Sequence, residues 1–119
     1  MSGSIINRII EGPAKQQPEV GMGVTVTMYS DRNAGTITEL VPYKKGAKAG
    51  QIRIIRVRMD DFTVVSGSEA DGSARYEFAP GPGDRHTVDF LPTKRGWRRK
   101  GGGDGLVLGS RDRYYDPHF

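Results

Sequence analysis

The chain has 119 residues, which is the size of one domain and argues against a second independent core. It contains no cysteine, so a disulfide framework and a thiolate metal site are excluded, and a reducing cytoplasm is the expected compartment. Seventeen glycines and seven prolines favour many short strands joined by turns over long helices. The net charge of +4 favours acidic partners, with nucleic acid first among them.

Residues 1–20 are predicted to form an N-terminal arm or an edge strand. Their apolar cluster is too short and too interrupted for a signal-peptide core or a membrane span; it consists of Ile5, Ile6, Ile9 and Ile10. The β-branched residues favour an edge strand over a helical turn, whereas the prolines and glycine that follow favour an extended arm. We therefore expect a soluble protein that makes no contact with a membrane.

Alternation of apolar and polar residues with a period of two marks the predicted strands. Residues 22–29 and 36–41 alternate on either side of turn-forming residues, which predicts a hairpin. A turn is predicted at Asp60–Asp61, and the sequence contains no helix of ordinary length. Further strands are predicted at 51–59, 62–65, 75–78, 87–91 and 106–108.

The strand predicted at 51–59 alternates irregularly. Ile52 and Ile54 share one face of a regular strand, whereas Val57 and Met59 fall on the other. A β-bulge at Ile54–Ile55 would restore one apolar face and leave the arginines of this strand together on the polar face. Those arginines are Arg53, Arg56 and Arg58.

The strands are expected to close on themselves, because no amphipathic helix is available to cover an open sheet. The sequence GMGVTV at 21–26, followed by AGTITEL at 34–40, resembles the opening hairpin of SH3-like barrels, including the KOW type. The predicted fold class is therefore all-β, as a small SH3-like barrel or a rolled antiparallel sheet with long Gly-rich loops. Residues 21–119 are expected to form this single domain.

The end of the sequence carries a second resemblance. Residues 106–119, LVLGSRDRYYDPHF, are similar to the C-terminus of a group of small uncharacterised phage and prophage proteins. No activity is known for that group. The resemblance implies a bacterial or phage setting in the cytosol.

Three basic clusters are candidates for a nucleic-acid interface. One is the loop with Lys44, Lys45 and Lys48, the second is the arginine strand, and the third surrounds Trp97. Cations beside an aromatic ring suit a single strand, because the phosphates contact the cations while a base stacks on the indole. The predicted nucleic-acid-binding residues are Arg53, Arg56, Arg58, Lys94, Arg95, Trp97, Arg98 and Arg99.

A purely structural interpretation of these residues stays open. Trp97 would then be a core residue, and the lysines would solvate a loop. The arginines would pair across strands with acidic residues, namely Glu39, Glu77 and Asp89.

No constellation for catalysis or for a bound ion is predicted. The acidic residues Asp60, Asp61, Glu69 and Asp71 match no known cation-binding loop and are explained as turn residues. The two histidines, His86 and His118, lack partners at zinc or catalytic spacing. The glycine run at 101–105 lacks the Lys-Ser/Thr of a P-loop. We therefore expect no enzymatic activity, no metal and no cofactor.

The aromatic tail is the other candidate contact. Tyr114, Tyr115 and Phe119 either pack back across the barrel or bind a partner. The leading hypothesis is a noncatalytic module that binds nucleic acid in the cytoplasm of a bacterium or an infected host cell. The alternatives are a phage product that binds a host protein through this tail and an exposed sheet edge, and a homo-oligomeric structural protein.

Overall fold

The computed structural model describes residues 17–114, so the edge strand predicted at Ile5–Ile10 lies outside the described residues. Within 17–114 no helix is long and apolar enough to cross a bilayer. A short 3-10 helix, Glu69–Asp71, follows the fourth strand. The strands are β1 (Gly23–Thr27), β2 (Arg32–Pro42), β3 (Ile52–Met59), β4 (Asp61–Ser66), β5 (Arg75–Ala79), β6 (Thr87–Thr93), β7 (Gly96–Arg99) and β8 (Gly105–Leu108).

Six of these strands form a closed antiparallel barrel. Their order around the barrel is β1, β2, β3, β6, β7 and β8, and β8 pairs back with β1. The shortest of the ladders joins β7 to β8 through the pair Arg98 and Gly105. The closure confirms that the sheet curls on itself, and the architecture is compatible with an SH3-like barrel.

The barrel encloses a small aliphatic core around one aromatic ring. Phe90 on β6 is completely buried, and so is Ile55, its cross-strand partner on β3. Along β3 the buried Ile55 and Val57 alternate with the half-buried Arg56 and Arg58, as the period-two pattern predicts. The other members of the core cluster are Val24, Val26, Ile37 and Leu108.

The ladder between β2 and β3 is irregular, but not at the residues where the sequence predicted a bulge. The pairing shifts once at Thr38 on β2 and once at Arg53 on β3. Ile54 and Ile55 are consecutive members of the regular ladder between these shifts. Both are buried although they face opposite sides of the strand, so no bulge is needed between them.

Strands β4 and β5 form a two-stranded ribbon outside the barrel, in the connection between β3 and β6. The predicted turn at Asp60–Asp61 is wrong, because Asp60 is buried at the junction of two strands and Asp61 begins β4. Every residue of β4 is exposed, since two strands alone enclose no core. The ribbon therefore depends on contacts from other segments.

A buried carboxylate provides the first of these contacts. The side chain of Asp60 is 1% exposed, and its oxygens accept hydrogen bonds from the Thr36 hydroxyl at 2.7 Å and from Arg111 Nε at 2.8 Å. Arg111 also donates from Nη2 to the Thr36 hydroxyl at 3.0 Å. Asp60 thus joins β2, the start of the ribbon and the segment that follows β8.

Arg113, from the same C-terminal segment, holds the ribbon itself. Its guanidinium carbon lies 3.7 Å from the centre of the Phe62 ring, and its Nη2 donates to Glu69 Oε2 at 3.1 Å. Its Nη1 donates to the side chain of Asn33 on β2. The Tyr76 hydroxyl donates to the same Glu69 oxygen at 2.9 Å, and burial together with this contact raises the pKa of the phenol. Arg113 therefore covers the aromatic face of the ribbon and links it to the barrel.

The sequence predicted no strand at Gly96–Arg99, which forms β7. These four residues show no alternation of apolar and polar side chains. They are ordered by pairing with β6, where Leu91 lies opposite Arg98 and Pro92 lies opposite Trp97. Long-range pairing therefore overrides a weak local pattern.

Replacing the central aromatic residue should destabilise the barrel. Phe90→Ala is expected to lower the free energy of unfolding by about 3–5 kcal/mol, because it removes buried contacts and leaves a cavity. Val107→Ala, at a side chain that is 40% exposed, should cost less than about 1 kcal/mol. Urea denaturation measures both, and equal effects would contradict the position of the core.

The Asp60 contact is tested by a double-mutant cycle with Asp60→Asn and Arg111→Met. Arg111→Met alone should cost about 2–3 kcal/mol, because it leaves a buried carboxylate with one fewer donor. The coupling free energy between the two substitutions should be about 1–2 kcal/mol in urea denaturation. Additive effects would show that the two side chains do not stabilise each other.

Candidate nucleic-acid interface

The strand directions bring two basic segments to the same end of the barrel. The loop at residues 43–51 precedes β3, and the turn at residues 94–95 follows β6. Because β3 and β6 are antiparallel neighbours, the start of one lies at the same end as the finish of the other. The two segments therefore flank one end of the barrel, whereas the ribbon leaves from the opposite end.

These segments lie in stretches of sequence without carboxylates. No Asp or Glu occurs at residues 40–59 or at residues 90–103. The cations that the loop, the start of β3 and the turn contribute are exposed. We call this group the basic end, and it consists of Lys44, Lys45, Lys48, Arg53, Lys94 and Arg95.

Within residues 17–114, none of the cations of the basic end takes part in an ion pair. Most of the ion pairs in the same part of the chain join arginines to carboxylates at the ribbon end. Beside the Asp60 contact they include Arg85 with Asp61 and Arg113 with Glu69. Uncompensated positive charge is therefore concentrated at the basic end.

Arg56, one of the predicted site residues, is held by two carboxylates. Its Nε donates a hydrogen bond of 2.9 Å to Asp89, on β6, and its Nη1 donates one of 2.5 Å to Glu39, on β2. The hydrogen bond to Asp89 and then the one to Glu39 raise the pKa of the guanidinium. This agrees with the structural interpretation of Arg56, in which the arginine pairs across strands.

Arg58 lies on the same outer face of β3, opposite Thr36 and Thr87. Its Nε is buried, and no hydrogen-bond partner for this nitrogen is present in the described residues. Arg53, by contrast, lies at the irregular start of β3 and is exposed. The three arginines of the strand therefore have three different environments.

The predicted cluster around Trp97 is also divided. Trp97 is half-buried and packs against the core cluster, as the structural interpretation expected. Arg98 lies on the other face of β7 and donates to the Arg95 carbonyl at 3.4 Å. Arg99 pairs with Asp104 at 3.3 Å in the following loop. Only Lys94 and Arg95 of this group belong to the basic end.

The described part of the tail packs back onto the barrel. Tyr114 exchanges two backbone hydrogen bonds of 2.9 Å with Arg32, the first residue of β2. The Arg32 guanidinium carbon lies 5.3 Å from the centre of the Tyr114 ring. Tyr115 and Phe119, the other predicted partner-binding residues, lie outside the described residues.

The acidic residues do not all take the role of turn residue that the sequence predicted for them. Asp71 does act as a turn residue, because its carboxylate accepts hydrogen bonds from the hydroxyl and the backbone N–H of Ser73. These hydrogen bonds lower the pKa of the Asp71 carboxyl group. Asp60 and Glu69 instead bind arginines. Among residues 17–114 no three His, Asp or Glu side chains gather in a way that could hold a metal ion.

Sequence reasoning identified the basic segments but did not predict that they lie at the same end of the barrel. The loop lysines and the turn residues are about fifty positions apart, and only the pairing of β3 with β6 brings them together. The absence of carboxylates around both segments was a signal in the sequence for the basic end, but it does not distinguish Arg56 and Arg99, which lie in the same stretches and pair with carboxylates outside them. Comparison of the chain with protein-family models, with curated proteins and with solved structures finds no match.

Proposed function

We propose that this protein is a noncatalytic module that binds nucleic acid through the basic end of its barrel. The observation that carries the proposal is the convergence of two carboxylate-free segments at one end, with lysines and arginines that form no ion pair within residues 17–114. A nucleic acid gains binding free energy at such a surface, because each cation near a phosphate releases condensed counterions.

The proposal uses only part of the predicted site. Arg56 and Arg99 already have carboxylate partners, so nucleic acid would have to compete with Asp89 and Asp104 for them. Lysines of the loop replace them in the proposed interface. The phage or prophage setting implied by residues 106–119 belongs to the same proposal, and the bacterial cytoplasm would then be the compartment.

Charge removal at the basic end tests the proposal. Lys94→Gln with Arg95→Gln should weaken binding to a labelled oligonucleotide by about tenfold at moderate salt, because two phosphate contacts are lost. The slope of log K against log salt should become shallower by about 1.5 for the same reason. Fluorescence anisotropy at several salt concentrations measures both quantities.

A matched control removes two exposed cations elsewhere. Arg75 lies on the ribbon and Lys100 lies after β7, both away from the basic end. Arg75→Gln with Lys100→Gln should change the affinity by less than about twofold. Equal weakening by both pairs would contradict an interface at the basic end, and no binding by the original protein at low salt would overturn the proposed function.

The ribbon favours a second candidate function, which is self-association. Within the described residues, the backbone of β4 pairs with β5 alone. Phe62, Val64 and Val65 are 41%, 40% and 50% exposed, and β4 carries neither the lysine nor the proline that commonly protects an edge. A second copy could add its own β4 in antiparallel orientation, which keeps the two Asp61 carboxylates at opposite ends of the strand pair.

Sedimentation velocity over a range of concentrations tests this second candidate. The protein should form a dimer as its concentration rises, and Val64→Lys should remain monomeric, because a lysine on the edge strand opposes pairing. Glu77→Lys, on β5, is the matched control and should leave the dimer in place. A monomer at every concentration would overturn the candidate.

A further inference from the structure

This inference rests on the proposed function and concerns how the basic end contacts its ligand. Trp97, the only tryptophan of the chain, packs against the core cluster and shares a face of the β6–β7 hairpin with Pro92. Pro92 lies two residues from the buried Phe90 and therefore on the same side of β6. The half-buried indole lies on the inner side of the barrel wall, so the part of the ring that packs against the core is not available to a base.

Tyr43, a second aromatic residue near the basic end, is also engaged in contacts. Tyr43 is half-buried at the start of the loop, and its backbone is fixed by hydrogen bonds to Gln51 at 2.8 Å and from Gly50 at 3.0 Å. The Lys48 ammonium nitrogen lies 5.7 Å from the centre of its ring. A base that stacked on this ring would displace a cation that the phosphates need.

Exposed aromatic rings occur elsewhere in the described residues, at the opposite end of the barrel. Tyr29 is 92% exposed in the turn between β1 and β2, and Phe62 is 41% exposed on the ribbon. That turn lies at the end from which β3 passes into the ribbon, because β2 is antiparallel to both β1 and β3. In the part of the chain that the structure describes, the cations of the basic end and the rings of Tyr29 and Phe62 therefore lie at different ends of the barrel.

We propose that the basic end binds the phosphate backbone without stacking any base, so that its ligand is a nucleic-acid strand of any sequence. The hypothesis of stacking on Trp97 is thereby replaced. Lysine ammonium groups act as mobile point charges and need no base to define their position. Affinity then depends on the number of phosphates and on salt, not on the bases.

An abasic oligonucleotide tests this inference with the protein unchanged. A single strand of abasic residues and an oligothymidine of the same length should bind within about twofold of each other, with equal salt slopes. Base stacking would instead weaken the abasic strand by more than about fivefold for each stacked base. Fluorescence anisotropy competition against one labelled strand measures this ratio, and a large preference for oligothymidine would overturn the inference.

Tryptophan fluorescence gives an independent readout, because Trp97 is the only source of the indole signal. The emission should change little while anisotropy reports saturation, and Trp97→Phe should bind within about twofold of the original protein. Strong quenching that follows saturation, or a tenfold loss in a folded Trp97→Phe variant, would overturn the inference while leaving nucleic-acid binding intact. Failure of both strands to bind at low salt would overturn the proposed function as well.

Discussion

The connection of barrel, ribbon and C-terminal segment depends on the buried carboxylate of Asp60. A charge that is taken out of water is unfavourable unless donors surround it, so its partners must be in place when the chain folds. Thr36 supplies one donor from β2 and Arg111 supplies the other from the segment after β8. That segment also carries Arg113, which covers the ribbon. One buried charge thereby joins three parts of the chain into one unit.

The ion pairs that hold the ribbon also affect how charge is distributed between the two ends of the barrel. Carboxylates near the ribbon are bound by arginines, so the field at that end is largely cancelled at short range. The opposite end has no corresponding carboxylates in its two segments, 40–59 and 90–103. Its positive potential extends about 8–10 Å into solvent at physiological salt, which is far enough to guide a polyanion. The asymmetry of charge thus has two sources, which are the ion pairs that hold the ribbon and the absence of carboxylates from the two basic segments.

Sequence patterns predicted most of the strands, but not the contacts that distant residues make with them. The alternation in β1, β2 and β6 reflects one buried face, which the barrel supplies, and the lack of a covering helix correctly predicted closure. The same alternation in β4 and β5 could not show that their covering comes from Arg113, more than thirty residues away. For the same reason the two basic segments were visible in the sequence, whereas their position at one end of the barrel follows only from the order of the strands.

The chain also divides its cations between two tasks, and four of the six cations of the basic end are lysines. In the described residues six arginines form ion pairs and no lysine does. A planar guanidinium holds fixed donor directions and tolerates partial burial, whereas an ammonium on a flexible stem is a mobile charge. Arginines therefore suit the contacts that fix the barrel and ribbon, and lysines suit a ligand whose phosphates offer no single register. Because the two tasks use different residues, the charge of the basic end is separable from the stability of the fold.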